Sequence, residues 1–374
     1  KCLTTNLRPN SDFKDGICIA CRYSAEDDLS NYEVKLKILR QKIKSSLKRN
    51  KRKGAYDCVV GVSGGKDSTR QAHWVRDRLG LRPLLVCAAY PPKQMSEIGA
   101  KNLSNLISMG FDLLTVTPAP ETARKLTLKS FREFGNVSKS TELSLFSTVP
   151  RISIELGINL IFWGENTALQ VGDAAVLGED EFDGNKLYKL NTLNEGGYSW
   201  LNLTKKFDYK LNHYFYPDQV VYKRSKLDIF FLGPAWDDWS LFQNATYASL
   251  QGLNLRPGEE NKTGDLTNAS MIDEEFTNIN MLLKYYKFGF GRATDLICEQ
   301  IRLGTITRSE GIKLVKKYDG VCSDEIIRNF CHYTDISEQE FWAIAYSYVN
   351  LNLFDVSQNV RPAPKFRVGH GLIS

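Results

Sequence analysis

Residues 59–68 read VVGVSGGKDS, an apolar run that is followed by the polar, glycine-rich string SGGKDS. This pattern predicts a buried β-strand, a tight loop and then a helix. Backbone N–H groups at such a junction bind anions, and Gly64 and Gly65 allow the backbone to approach a phosphate closely. The loop is not a Walker A motif, because Val60 and Asp67 stand where that motif needs glycine and Ser or Thr.

The residues on either side of this loop alternate between short apolar runs and helical patterns. The runs predict strands at 57–61, 83–90, 111–116, 159–163 and 228–232, and the helical patterns lie at 93–109, 121–134 and 141–156. Such alternation is typical of an α/β fold, in which a doubly wound parallel sheet is covered by helices on both faces.

The chain of 374 residues is long enough for more than one domain. Four regions are expected: a cysteine-rich knuckle at 1–30, a linker helix at 31–54, an α/β nucleotide-binding domain at 55–255, and a helical region at 256–374. Within the third region, residues 172–227 break the alternation and are rich in Gly, Asn and Tyr. Insertions of that length are usually lids or binding loops.

A second polar turn, residues 163–166 (WGEN), follows the fourth predicted strand. Because parallel strands present their carboxyl ends on one edge of the sheet, this turn should face the same crevice as the glycine-rich loop. Gly164, Glu165 and Asn166 are therefore candidates for contact with a metal, a phosphate or a substrate. The alternative is a polar turn that only ends the strand.

The N-terminal region contains three cysteines among turn-forming residues, Cys2, Cys18 and Cys21. A structural zinc site takes four ligands, and the fourth is expected from a cysteine upstream of Lys1, since the chain does not begin with Met. A redox or thiol-carrying pair and inert thiols are the alternatives. The remaining cysteines are expected in strand cores or helix packing: Cys58, Cys87, Cys298, Cys322 and Cys331.

The helical region opens with FGFGRATD at 288–295 and continues with ExIRxG, TRxE and LVxxYDG elements up to residue 320. Arg292, Asp295 and Arg302 are clustered in the sequence. They are candidates for binding an anionic ligand such as a nucleotide diphosphate. A salt-bridged pair of helices explains the same residues, and this alternative stays open.

These motifs together resemble a known family. The SGGKDS string resembles the PP-loop of ATP pyrophosphatases. With the cysteine knuckle, the WGEN turn and the GFGRATD block in the same order, the chain is similar to the N-acetyl sugar amidotransferases of bacterial lipopolysaccharide and surface-glycan biosynthesis, which install acetamidino groups. The similarity covers most of the chain, and residues 172–227 carry the least of it.

The resemblance implies an ATP-dependent reaction in which the acetamido carbonyl of a nucleotide-linked N-acetyl sugar is adenylated and then displaced by ammonia. Ammonia is expected from a separate glutaminase with a synthase-like companion. ATP is expected on Ser63, Gly64, Gly65, Lys66, Asp67, Ser68, Gly164 and Asn166, with its adenine near Ala89. Lys66, Asp67 and Glu165 are the expected catalytic residues, and Asp67 is also a candidate ligand of Mg²⁺.

Two other functions fit parts of the sequence. Six of the ten residues at 44–53 are basic, which would suit a PP-loop enzyme that thiolates tRNA, whereas the net charge of only +6 speaks against RNA. A non-catalytic AMP sensor is the other alternative. The chain is 42% hydrophobic with no run of about 18 apolar residues, so a cytoplasmic enzyme without a membrane span is expected.

Overall fold

The structure is a computed structural model, and it describes residues 1–9, 11–26, 31–50, 54–165, 180–187, 198–201, 211–357 and 361–372. The strands are β1 (Phe13–Lys14), β2 (Ile17–Cys18), β3 (Cys58–Gly61), β4 (Pro83–Ala88), β5 (Leu113–Val116), β6 (Leu160–Trp163), β7 (Asp228–Phe231), β8 (Phe354–Asp355), β9 (Ala363–Pro364), β10 (Phe366–Arg367) and β11 (Gly371–Leu372). The helices are α1 (Ile19–Glu26), α2 (Tyr32–Asn50), α3 (Lys66–His73), α4 (Glu97–Ser108), α5 (Pro120–Phe134), α6 (Lys139–Leu156), α7 (Tyr198–Leu201), α8 (Gln219–Ser225), α9 (Leu241–Leu250), α10 (Glu260–Thr263), α11 (Thr277–Phe288), α12 (Arg292–Arg302), α13 (Arg308–Tyr318), α14 (Asp324–Thr334) and α15 (Glu338–Ser347).

The central sheet has five parallel strands in the order β5-β4-β3-β6-β7. The chain moves from β3 outwards to β5 and then returns to the other side of β3, so the direction of winding reverses between β3 and β6. In doubly wound sheets, ligands bind in the crevice outside the carboxyl ends of the strands at this reversal. The predicted parallel α/β sheet is confirmed, and both polar turns leave the two strands that flank the crevice.

Both faces of the sheet are buried. Along β3, Cys58 and Val60 belong to a hydrophobic cluster that α2, α3 and α4 cover, whereas Val59 belongs to a second cluster on the face that α6 covers. Side chains alternate between faces because the period of a strand is two residues. Since both faces are covered, the strands read as continuous apolar runs, which is why the sequence predicts them well.

The residues that follow the sheet form mainly helices, as expected. Helices α11 to α15 lie close to the positions that the sequence predicts, 274–288, 292–303, 308–318, 323–330 and 337–349. Their core also includes Phe131 of α5, which stacks against Phe341 with ring centroids 5.2 Å apart. The helices α1 and α9 and the short C-terminal strands were not predicted. The four expected regions stay predictions, and about half of the proposed insertion, residues 172–179, 188–197 and 202–210, lies outside the described residues.

Among the described residues, none of the helices combines the length and the apolar character needed to cross a bilayer.

Candidate functional site

The SGGKDS loop, residues 63–68, joins β3 to α3 in a tight turn. Gly64 has a φ of +88°, the left-handed conformation that glycine adopts without strain, and a Cβ there would lie 3.2 Å from Leu103. The Gly65 N–H donates to Ser63 Oγ at 3.3 Å, and α3 begins at the next residue. The positive end of α3 therefore lies at the sheet edge, where it favours an anion.

The two charged side chains of the loop contact each other and a distant helix. Lys66 Nζ donates to Asp67 Oδ2 at 2.6 Å, and Asn244 Nδ2 donates to Asp67 Oδ1 at 2.7 Å. Asn244 is held in turn by Arg70, whose Nη1 donates to Asn244 Oδ1 at 2.8 Å. Asn244 lies on α9 and orients Asp67. Asn244 belongs to no sequence motif, so local sequence does not indicate its role.

A cavity of about 270 Å³ opens in front of the loop, and we call it the loop cavity. The SGGKDS loop lines one side, and Trp163 and Glu165 at the end of β6 line another. Residues 269–273 and Arg292, from the helical region, line a third. Candidate residues from both polar turns therefore meet in one place, and the C-terminal region completes the site.

Glu165 is a buried carboxylate in the loop cavity. Burial, which is the larger cause, and the negative charge of Asp67 together raise the pKa of Glu165 to about 7. Its Oε2 atom has no hydrogen-bond partner within the described part of the chain. The preceding residue, Gly164, packs against Gln71, which would lie 2.9 Å from a Cβ at that position. Asn166 lies outside the described residues.

The helical region supplies a carboxylate and a guanidinium to the loop cavity. Burial raises the pKa of Asp273, although a hydrogen bond from Ser63 and the charge of Lys66 act against this shift. Arg292 Nη2 donates to Ser270 Oγ, whereas Arg292 Nε has no partner among the residues that the structure describes. Because a buried polar atom without a partner costs about 1–3 kcal/mol, such an atom indicates a ligand or water that supplies the missing hydrogen bond.

Ala89, the residue expected near an adenine, follows β4 and is buried. Its N–H donates to the carbonyl of Val116 at 2.9 Å, which continues the pairing of β4 with β5. Ala89 does not belong to the described lining of the loop cavity. The adenine position therefore stays a prediction.

A second candidate site is the cysteine cluster, formed by Cys2, Cys18 and Cys21. The β1–β2 hairpin turns at Gly16, which has a φ of +73°, and so brings Cys18 and the first turn of α1 together. The three sulfur atoms lie within 4.8 Å of one another. Hydrogen bonds with neighbouring thiols, first that of Cys18, lower the pKa of Cys2. Clustered cysteines that supply thiolates fit a zinc site, as predicted from the sequence.

Cys298 of α12 lies beside this cluster, which the sequence did not indicate. Its Sγ accepts hydrogen bonds from the Leu3 N–H at 3.3 Å and from Thr4 Oγ1 at 3.5 Å. The prediction of ordinary helix packing for Cys298 is therefore incomplete. The other cysteines outside the cluster lie in hydrophobic cores, as expected: Cys58, Cys87, Cys322 and Cys331.

The structure divides the three charged candidates of α12 between two places. Arg292 lines the loop cavity, whereas Asp295 and Arg302 line a small cavity beside the cysteines. Asp295 accepts hydrogen bonds from Arg8 and Lys284. Although burial alone would raise the pKa of Asp295, these two cations hold it well below its usual range. Asp295 thus forms an ion-pair network between the N-terminal segment and two helices.

Comparison with known proteins adds one finding on the C-terminal region. Residues 270–367 match the family model described as "LPS biosynthesis protein WbpG-like, C-terminal domain". No curated protein matches the chain. The matched stretch contains Asp273 and Arg292 of the loop cavity, together with Cys298. The C-terminal region is therefore similar to that of a family of bacterial lipopolysaccharide biosynthesis proteins.

Proposed function

We propose that this protein is an ATP-dependent amidotransferase that converts the acetamido group of a nucleotide-linked N-acetyl sugar into an acetamidino group. The observation that carries the proposal is the composition of the loop cavity. There the SGGKDS loop, a site for phosphate, meets Asp273 and Arg292 from a region similar to lipopolysaccharide biosynthesis proteins. This combination supports a reaction of surface-glycan biosynthesis that is activated by a nucleoside triphosphate.

The proposed chemistry begins with activation, because an amide is a poor electrophile. The acetamido oxygen attacks the α-phosphorus of ATP, the bond to the β-phosphate oxygen breaks, and pyrophosphate leaves. Ammonia then adds to the imidate carbon and loses a proton, and the C–O bond to AMP breaks to leave an amidine. Lys66 and the N–H groups at the start of α3 stabilise the negative charge that develops on the phosphates.

A magnesium ion fits the donors of the loop cavity. Asp67 and Glu165 offer carboxylate oxygens, and Ser63 and Ser68 offer hydroxyls, which is the oxygen chemistry that Mg²⁺ prefers. Asp67 is the residue that would hold the ion, since it lies in the first turn of α3 and is oriented by Asn244. The ion would supply positive charge against the triphosphate.

Glu165 and Arg292 take separate roles in this proposal. A carboxylate with a pKa of about 7 is half ionised at neutral pH, so Glu165 is suited to accept the proton that ammonia loses. Arg292 offers a buried N–H without a partner in the described structure, and it binds an anionic group of the nucleotide sugar or of ATP.

The ammonia in this proposal comes from another protein. None of the eight cysteines stands in a sequence context that is recognisable as that of a glutaminase nucleophile. We therefore propose a separate glutaminase with a synthase-like companion, as the resemblance implies. Free ammonium replaces this partner in an assay of the isolated protein.

The test combines the purified protein with ATP, Mg²⁺, ammonium and a UDP- or CMP-linked N-acetyl sugar. We expect release of AMP and pyrophosphate, together with a product lighter by the difference between an oxygen atom and an NH group. Omission of ammonium should abolish that product, and ¹⁵N-ammonium should place the label in it.

Three results would contradict the proposal. AMP formation that depends on tRNA would favour the thiolation reaction. Binding of ATP or AMP without turnover in the presence of any of these sugars would favour a nucleotide sensor. A sugar product of unchanged mass would show that adenylation is not followed by amidination.

A further inference from the structure

The start of α9 and the two residues before it, 239–244, contact both polar turns of the loop cavity. Trp239 Nε1 donates to the carbonyl of Gly164 at 2.8 Å, in the turn that follows β6. Asn244 Nδ2 donates to Asp67 Oδ1 at 2.7 Å, and α9 packs against α3. The position of α9 therefore affects the geometry of both turns.

Glu299 of α12 holds the first residue of α9. Its Oε2 accepts a hydrogen bond from the Leu241 N–H at 2.9 Å, although the two residues are 58 positions apart in the chain. The first N–H groups of a helix have no acceptor within that helix, and its positive end favours a carboxylate. Glu299 thus attaches α12, which belongs to the region similar to lipopolysaccharide biosynthesis proteins, to the helix that carries Asn244.

Capping alone does not account for a buried carboxylate at this position. Ser240 already caps α9, because its Oγ accepts a hydrogen bond from the Gln243 N–H at 3.0 Å. Glu299 is 1% exposed, and burial raises its pKa to about 7, so its charge is costly to place here. The charges of Asp67 and Lys66 also act on the Glu299 carboxyl, which places it near the SGGKDS loop. A role in holding that loop explains both the cost and the location.

We propose that Glu299 is a positioning residue for Asp67, the carboxylate that would hold magnesium. The contacts run from Glu299 to the Leu241 N–H, along the first turn of α9 to Asn244, and from Asn244 to Asp67. Arg70 Nη1 donates to Asn244 Oδ1, which fixes the direction of the amide. Glu299 does not belong to the described lining of the loop cavity, so it acts through these contacts. The inference rests on the proposed function for the role of Asp67.

The first experiment measures ATP binding by calorimetry with and without Mg²⁺, in the absence of sugar and ammonium. We call the ratio of the two affinities the magnesium gain. In Glu299→Ala this gain should fall by about tenfold, since partners of metal ligands contribute about 10–100-fold to metal affinity. Affinity for ATP without Mg²⁺ should stay at the wild-type value, because Lys66 and the loop N–H groups are unchanged. Glu299→Gln keeps an acceptor oxygen and should recover most of the gain.

An unchanged magnesium gain in Glu299→Ala would overturn the proposal. Ser337→Ala is the matched control, because Ser337 Oγ caps α15 by accepting from the Glu340 N–H at 3.0 Å, and neither residue belongs to the described lining of the loop cavity. Ser337→Ala should lower the Tm and leave both ATP affinities unchanged. A similar loss of the gain in this control would show that Glu299→Ala acts through general destabilisation, which would also overturn the proposal.

Two further variants test the path of contacts. If Glu299 acts through Asn244, then Glu299→Ala combined with Asn244→Ala should lose no more of the magnesium gain than Asn244→Ala alone. Losses that multiply would overturn the path. Leu241→Pro retains Glu299 and removes the N–H that it accepts, and proline is tolerated at the first position of a helix. It should lose the same gain as Glu299→Ala, and it replaces that variant if Glu299→Ala does not fold.

A crystal structure of Glu299→Ala, or of Leu241→Pro, tests the positioning without ATP or Mg²⁺. The hydrogen bond between Asn244 and Asp67 should be lost, and a retained bond with wild-type geometry would overturn the proposal. A wild-type protein that binds ATP with no magnesium gain would instead contradict the magnesium role in the proposed function. The two failures are therefore distinguishable, because the crystal structure decides the positioning in either case.

Discussion

Helix α12 separates two charged sites that differ in how their charges are paired. At its first residue, Arg292 faces the loop cavity, and its Nε has no partner among the described residues. One turn further along, Asp295 is paired with both Arg8 and Lys284. Both sites are buried, and both combine carboxylates with cations. In the loop cavity, Arg292 Nε and Glu165 Oε2 lack a hydrogen-bond partner among the described residues, whereas both carboxylate oxygens of Asp295 accept a hydrogen bond.

We expect this difference to separate residues that bind a ligand from residues that stabilise the fold. A buried polar atom without a partner is destabilising, and in the loop cavity a ligand or a water molecule would complete the hydrogen bonds. A buried carboxylate with two cations is already neutralised, and removing it leaves the cations without compensation. Substitutions in the loop cavity should therefore change activity, and substitutions at Asp295 should change stability.

The largest effect is expected for Lys66→Met. This change removes the positive charge of the SGGKDS loop, and the rate of AMP formation at saturating ATP should fall by about 10³-fold. Lys101→Met, which alters an exposed lysine on α4, is the control and should retain the wild-type rate. A Lys66→Met protein with more than about a tenth of the wild-type rate would exclude Lys66 from catalysis.

Asp295→Asn should cause the largest loss of stability. The amide leaves the Arg8 and Lys284 charges buried and uncompensated, so the free energy of unfolding should fall by about 3 kcal/mol in urea denaturation. The matched control is Glu340→Gln, which breaks the exposed pair with Arg132 and should cost less than about 0.5 kcal/mol.

The pH dependence of stability provides a second readout for Asp295. Its pKa in the folded protein is below its value in the unfolded chain. The ion pairs of Asp295 with Arg8 and Lys284 therefore stabilise the fold at pH values above the unfolded pKa of about 3.9. This stabilisation is lost as the pH falls through the pKa of Asp295 in the folded protein. Asp295→Asn should reduce the loss of stability below pH of about 4. Equal acid sensitivity in both proteins would contradict this account.

Glu165→Gln should act on activity and stability in opposite directions. Burial raises the pKa of Glu165 to about 7, so its ionisation opposes folding as the pH rises through that value. At pH 8, Glu165→Gln should be more stable than the wild type by roughly 3 kcal/mol, and the difference should nearly vanish only below the unfolded pKa of about 4.3. In the wild type, activity should rise with pH with an apparent pKa near 7, and this rise should be absent from the variant. A variant that keeps this pH–rate profile would exclude Glu165 as the base.

The smallest effect is expected for Arg292→Met. The KM for the anionic substrate that it contacts should rise by about tenfold, whereas kcat and the free energy of unfolding should stay near their wild-type values. Arg292→Lys should recover part of the loss, since it restores the charge without the planar guanidinium. A loss of stability comparable to that of Asp295→Asn would contradict the distinction between the two sides of α12.

The sheet and the SGGKDS loop are predictable from local sequence. Apolar runs such as 57–61 and 159–163 mark strands that are buried on both faces, and two adjacent glycines mark the turn between β3 and α3. The placement of Glu165 beside the loop also follows, because parallel strands end on the same edge of the sheet. The hairpin and cluster of cysteines follow from their spacing and the intervening turn.

Other features of the two sites depend on long-range packing. Asn244 orients Asp67, Asp273 lines the loop cavity beside Ser63, and Cys298 meets Cys2. None of these residues stands in a motif with its partner. For the same reason, the sequence grouped Arg292 with Asp295 and Arg302, although only Arg292 reaches the loop cavity.

The amino-acid sequence by itself determined the parallel α/β sheet, the glycine-rich loop at the end of β3 and the three thiols near the N-terminus. These features depend on the spacing of apolar residues and on the conformational freedom of glycine within a few neighbouring positions. Only the tertiary structure decided which buried charges are paired and which remain available to a ligand. That outcome depends on how α9 and α12 pack against the loop and the N-terminal segment, and packing joins residues that no local pattern connects.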